Sequence, residues 1–331
     1  MLTTLIHLVR RSSFARAVFG AGAFFGLCAR PIHAERDMLP RTAIQETFDV
    51  RYTPGSDRQT LDVFAPRKAR DLPVVIFVHG GGWFMGDKNM FGFHRAVGRF
   101  LARHGYVAVL INYRLSPAVK HPEHVKDVAR AVKWVRANIT TYGGDPDRIV
   151  LSGHSAGAHL ASLLATDETY LKGADRKALR GVVSVSGVYR IPDQEDCARV
   201  VSDALLGFPA LGDKRIDDAI RSIPGMVRMM PKLNPFRLAF GDDPDVRKQA
   251  SPLSHVRKGL PPFLILYAEN ELPLLGEQAR EFGKALKDAG DEEQVCRIDG
   301  ANHVTMLFRL SENKDVVSEK VLKFLEQHTR K

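Results

Sequence analysis

The chain has 331 residues, 44% of them hydrophobic and 26% charged, a balance that excludes a disordered or fibrous protein and fits a globular one. Its net charge of +10 is dispersed, with four of the charges in the first 34 residues and no like-charge run or aromatic interleaving of the kind a nucleic-acid surface needs. Three cysteines are too few for a disulfide framework.

Residues 1–34 carry Arg10, Arg11, Arg16 and Arg30 and no acid. The uncharged run AVFGAGAFFGLCA (Ala17–Ala29) is shorter than the roughly 20 residues of a membrane-spanning helix, and PIHA follows it. This pattern reads as a targeting segment removed near Ala34, with export to a periplasmic or secreted location. An acid-free start bearing Arg and Ser also fits a mitochondrial transit peptide. Residues 35–331 are then one domain, with no membrane span expected in the mature chain.

Two period-two stretches, Glu46–Gly55 and Arg58–Pro66, predict a leading hairpin. PVVIFVHG (Pro73–Gly80) is a continuous apolar run, as a strand buried on both faces requires. A helix near His94–His104, the strand Tyr106–Tyr113 and a helix between His121 and Tyr142 follow; in the last, Val125, Val128, Val132 and Val135 recur at helical spacing. GGDPDR (Gly143–Arg148) is turn chemistry, leading into the strand RIVLSG and a helix after Ser155. Strands at Gly181–Gly187, Pro262–Ala268 and Glu293–Ile298 and helices at Leu275–Ala289 and Glu312–His328 complete the alternation, which implies a mostly parallel sheet covered on both faces. Residues 190–255 break the rhythm and read as short helices and turns, an insertion at a strand's carboxyl end where ligands bind in open sheets. That segment is expected to form a cap, packed in part through Met226, Met229 and Met230.

Two motifs carry chemistry. In GHSAG, Ser155 stands between Gly153 and Gly157 where a strand becomes a helix. A nucleophilic hydroxyl must stand clear of the backbone, a sharp turn achieves this, and glycines two residues either side relieve the crowding. The helix that follows aims its positive end at the same place. In HGGGW (His79–Trp83) consecutive glycines leave backbone N–H groups unobstructed. Those of Gly81 and Gly82, with that of Ala156, could form an oxyanion hole. The loop lacks the endings and spacings of phosphate-binding glycine loops, and His79 reads as its brace.

Together with INYRLSP (Ile111–Pro117) and SPLSHV (Ser251–Val256), these motifs resemble the α/β-hydrolase superfamily, within it the hormone-sensitive-lipase-like and BD-FAE-type carboxylesterases. The resemblance implies a mostly parallel central sheet flanked by helices with an inserted helical cap. It also implies a catalytic acid after the strand PFLILYA and a late histidine. Glu271 falls on the acid position, where many relatives have Asp; Glu269 is the competing carboxylate. His303, after EQVCRI and a short loop, is the expected base, which gives the order Ser155, Glu271, His303. The implied activity is hydrolysis of a small-molecule ester through an acyl-enzyme, without cofactor or metal. His121 and His124 have H-x-x-H spacing but no third ligand in a recognisable pattern. Asp127 and Arg114 are expected as an ion-pair brace and Cys296 as core. Three alternatives share parts of the pattern: an arylformamidase cleaving an N-formyl amide, a prolyl-oligopeptidase-type peptidase, and a non-catalytic binder on a hydrolase scaffold.

Overall fold

A computed structural model describes residues 38–193 and 234–331. The proposed targeting segment, most of the cap with its three methionines, and Cys197 lie outside the described residues.

The apolar runs become an eight-stranded sheet in the order β1-β2-β4-β3-β5-β6-β7-β8. Its strands are β1 (Ile44–Arg51), β2 (Thr60–Pro66), β3 (Leu72–Val78), β4 (Val107–Ile111), β5 (Gly144–His154), β6 (Leu179–Val185), β7 (Phe263–Asn270) and β8 (Glu293–Asn302). β1 pairs with β2 and β2 with β4 in antiparallel fashion, so the predicted hairpin forms the start of the sheet. Every pairing from β4 through β3 to β8 is parallel. Alternate residues of a strand serve opposite faces. On β3, Val74, Ile76 and Val78 enter one core while Val75 and Phe77 enter the other. Burying one such side chain stabilises the fold by roughly 1.5–3 kcal/mol, which is why a strand covered on both sides carries no polar alternation.

One face is covered by α2 (Glu123–Asn138), α3 (Ala156–Thr166) and α7 (Leu275–Ala289), the other by α1 (Phe93–Arg103) and α9 (Val316–Thr329). Val125, Val128, Val132 and Val135 of α2 are all fully buried, as their spacing predicts. Helix α3 is buried along its whole length, and its Ala, Gly and Ser residues allow it to lie close on the sheet. Short helices α4 (Gly173–Lys177), α5 (Pro235–Phe240), α6 (Pro244–Gln249) and α8 (Thr305–Arg309) fill the connections.

Three expectations are corrected. All of the GGDPDR turn after Gly143 lies within β5: Gly144 already pairs with Leu72, and the register shifts before Ile149 meets Val74. Strand β8 runs to Asn302 rather than Ile298, because Asn270 of β7 still pairs with Asn302, so no loop precedes His303. Cys296 is half-buried, since β8 is the edge strand. Among the described residues no helix is long and apolar enough to cross a membrane.

Candidate active site

The carboxyl ends of β3 and β5, adjacent and parallel, bring the two glycine motifs together. At the end of β5 the chain reverses through Ser155, whose φ of 56° and ψ of −123° are strained for a residue with a side chain. Such a conformation costs on the order of 1–3 kcal/mol and persists only where its surroundings impose it. They do so here by close approach. A Cβ on Gly153 would stand 2.5 Å from the carbonyl carbon of Gly157, the mutual crowding expected from the motif. The tighter constraint on Gly157 comes from the neighbouring strand, because its Cβ would lie 2.0 Å from the Val78 carbonyl oxygen.

His303 follows directly on β8 and bridges two partners. Its Nδ1 lies 2.5 Å from Glu271 Oε1 and its Nε2 lies 3.0 Å from Ser155 Oγ. A carboxylate can only accept, so Nδ1 carries the proton and Nε2 is free to accept from the serine hydroxyl. Glu271 is closely held. Oε2 accepts from Ser186 Oγ at 2.6 Å and from the Ala268 N–H at 3.1 Å, and Oε1 also accepts from the Leu272 N–H at 3.0 Å. Burial works against its charge, but the adjoining His303 ring and these donors outweigh burial and hold its pKa down at about 2. Glu269 points elsewhere, accepting from the Gly300 N–H at 2.9 Å. Of the two carboxylates weighed from the sequence, Glu271 is the one against the imidazole.

The HGGGW loop starts against the elbow: a Cβ on Gly80 would stand 3.1 Å from that of Ser155. Gly81 and Gly82 have φ of 113° and 58°, and the Met85 N–H closes a turn onto the Gly81 carbonyl at 3.0 Å. Among the described residues no acceptor takes the N–H groups of Gly81, Gly82 or Ala156. His79 is a brace, as expected. It is fully buried, its Nδ1–H donates to the Gly80 carbonyl at 2.7 Å, and burial pushes its pKa down to about 3. Arg58 holds the far side of the loop by donating to the Gly86 carbonyl at 2.8 Å. Asp127, fully buried, accepts from Arg114, Arg130 and Gln59, so the expected brace is present. His121 and His124 turn to different partners, Tyr170 and Ser116, and no metal-competent group of three ligands occurs among the described residues.

Two residues that the sequence reading left unassigned touch these three side chains. Ser186, beside Glu271, is one. His154 is the other: its Nε2–H donates to the main-chain carbonyl of His303 at 2.8 Å, and the two rings lie 4.9 Å apart. Burial pushes the His154 pKa down to about 3, so it stays neutral beside His303.

Residues 61–198 match the BD-FAE family model. Esterase LipQ of Mycobacterium tuberculosis is 34% identical over 74% of this chain and 53% of its own length. The chain has the α/β-hydrolase fold, and its sequence matches BD-FAE-type esterases. Esterase LipC of the same organism is 33% identical over 74% of this chain and 56% of its own length, so the chain spans about half the length of these curated relatives. Among solved structures, esterase B from Lactobacillus rhamnosis superposes with a TM-score of 0.67 at 22% identity, covering 88% of both chains. An esterase from the archaeon Pyrobaculum calidifontis gives 0.64 at 26% identity, with 88% of both chains covered. The mostly parallel sheet and the helices on both its faces are those the sequence predicts.

Proposed function

We propose that this chain is a serine carboxylic-ester hydrolase acting on small to medium esters through an acyl-enzyme. One observation carries the reading: a single imidazole stands within hydrogen-bonding distance of both a strained serine hydroxyl and a buried carboxylate. The relatives and structural neighbours, themselves named esterases, support the same class of reaction.

Ser155 Oγ attacks the ester carbonyl while His303 Nε2 takes its proton, and Glu271 stabilises the imidazolium through Nδ1–H. The carbonyl oxygen becomes an oxyanion and is received by the N–H groups of Gly81, Gly82 and Ala156, at the positive end of α3. The tetrahedral intermediate collapses, the C–O bond to the alcohol breaks, and His303 returns the proton to the leaving oxygen. Water then enters, gives its proton to His303 and attacks the acyl carbon; the bond to Ser155 Oγ breaks, the acid leaves, and His303 returns the proton to Oγ. No step calls on a metal or an organic cofactor. Residues 1–34 support delivery outside the cytoplasm, and a processed amino terminus near residue 35 is the result expected.

The test is a panel of p-nitrophenyl esters of increasing acyl length, run on the protein and on Ser155→Ala. Turnover of the short esters that is abolished in a folded Ser155→Ala variant supports the reading. Undiminished turnover in that variant overturns it.

A further inference from the structure

Oxyanion binding divides its donors between two pieces of chain: Gly81 and Gly82 on the loop after β3, and Ala156 on the first turn of α3. Donors shared in this way stabilise charge only if their spacing is fixed before the reaction. We infer that Trp83 and His159 form a strut that fixes that spacing, so that both are positioning residues for the transition state. The inference rests on the ester-hydrolase reading above.

Trp83 ends the glycine loop. The indole is 2% exposed, and its Nε1–H donates to His159 Nδ1 at 3.1 Å. His159 lies one turn into α3. Its main-chain N–H bonds the Ser155 carbonyl at 3.0 Å, which ties it to the nucleophile. Its Nε2–H donates to the Ala250 carbonyl at 2.7 Å. A carbonyl can only accept and an indole N–H can only donate, so one tautomer satisfies both contacts and the strut has a single hydrogen-bonding arrangement. Burial pushes the His159 pKa down to about 3, which keeps that tautomer neutral. The indole also packs edge-on against Phe240, with ring centres 4.8 Å apart. Trp83 itself has φ of 63°, a left-handed conformation that a bulky residue adopts only under constraint. Its side chain supplies that constraint, and the two glycines before it follow.

Three variants test the strut. Trp83→Phe keeps an aromatic ring and loses the donor. His159→Asn places an acceptor oxygen near the Nδ1 position and gives up the bond to Ala250. His159→Gln places a donor near Nε2, keeps that bond and leaves the Trp83 N–H unpaired. The readouts are kcat/KM for a short p-nitrophenyl ester and the inhibition constant of a trifluoromethyl ketone, which forms a tetrahedral adduct on serine. Losing an oxyanion donor outright costs on the order of 10²–10³ in rate, so displacing two of them should cost about 10–100-fold. Trp83→Phe and His159→Gln are expected to lose this factor in kcat/KM and the same factor in ketone affinity, with KM changed less than about threefold. His159→Asn should recover most of both. Should Trp83→Phe fail to fold, the two His159 variants, matched for melting temperature, decide alone. Asn and Gln variants that behave alike, or a rate loss that ketone affinity does not follow, overturn the strut and leave the esterase reading intact. A parent protein that turns over no ester overturns that reading, and the strut with it.

Discussion

Replacing Glu271 by Gln separates the charge of the acid from its geometry. Each carboxylate oxygen accepts from a backbone N–H as well as from a side chain: Oε2 from Ala268 and Ser186, Oε1 from Leu272 and His303. The amide of Gln must therefore turn its NH₂ toward one fixed donor. Facing Leu272, it would also force His303 Nδ1 to accept, and a wrong tautomer costs on the order of 10⁴ in kcat. Facing Ala268, it leaves one N–H unpaired, at about 1–3 kcal/mol, but lets Ser186 turn and accept. That orientation keeps the His303 tautomer and loses only the charge. Unit charges about 4 Å apart at an effective dielectric of about 20 interact by about 4 kcal/mol, equivalent to about 10³ in rate. Glu271→Gln is thus expected to lower kcat by about 10³-fold and to lower the melting temperature detectably. Steady-state hydrolysis of p-nitrophenyl acetate and calorimetry measure the two effects. A kcat within tenfold of the parent would refute the placement of Glu271.

His154→Leu removes the donor to the His303 carbonyl and leaves that carbonyl without its partner. Its kcat should fall about tenfold or more, while His154→Gln, which keeps a donor at the same reach, should restore it; equal losses in the two variants would contradict the assignment. Burial holds His79, His154 and His159 at pKa values of about 3 and His121 and His124 at about 4, against about 6.5 in an unfolded chain. Below that unfolded value the unfolded state binds more protons than the folded one, so stability is full at neutral pH and falls with acidification, by up to about 1.4 kcal/mol per pH unit for each histidine. Glu271 adds to the loss only below about pH 4.5. Urea midpoints measured from pH 7.5 to pH 5 should therefore fall steeply, and a flat profile would contradict the neutral burial of these rings.

The sharp turn at Ser155 and the parallel sheet are legible in the sequence because each follows from a strict steric demand. Two glycines flank the reversal at Ser155, and strands covered on both faces can only be apolar. Edge strand β8 obeys neither rule. Half-exposed, it runs on through Asp299, Gly300, Ala301 and Asn302, residues with the chemistry of a loop, because it meets β7 again where Asn302 pairs with Asn270. The acid could not be fixed locally either, since Glu269 and Glu271 have the same parity along β7. They part only because the register shifts after Ala268 and the strand ends at Asn270. Ser186, His154 and the Trp83–His159 pair meet partners 85, 149 and 76 positions away, contacts that no local pattern encodes.

The central claim is that one hydroxyl is activated, and stoichiometric labelling with a fluorophosphonate, mapped by mass spectrometry, tests it most directly. The account predicts a single adduct on Ser155 that forms in step with the loss of ester turnover. Labelling elsewhere, or ester turnover that persists with Ser155 fully modified, would contradict it.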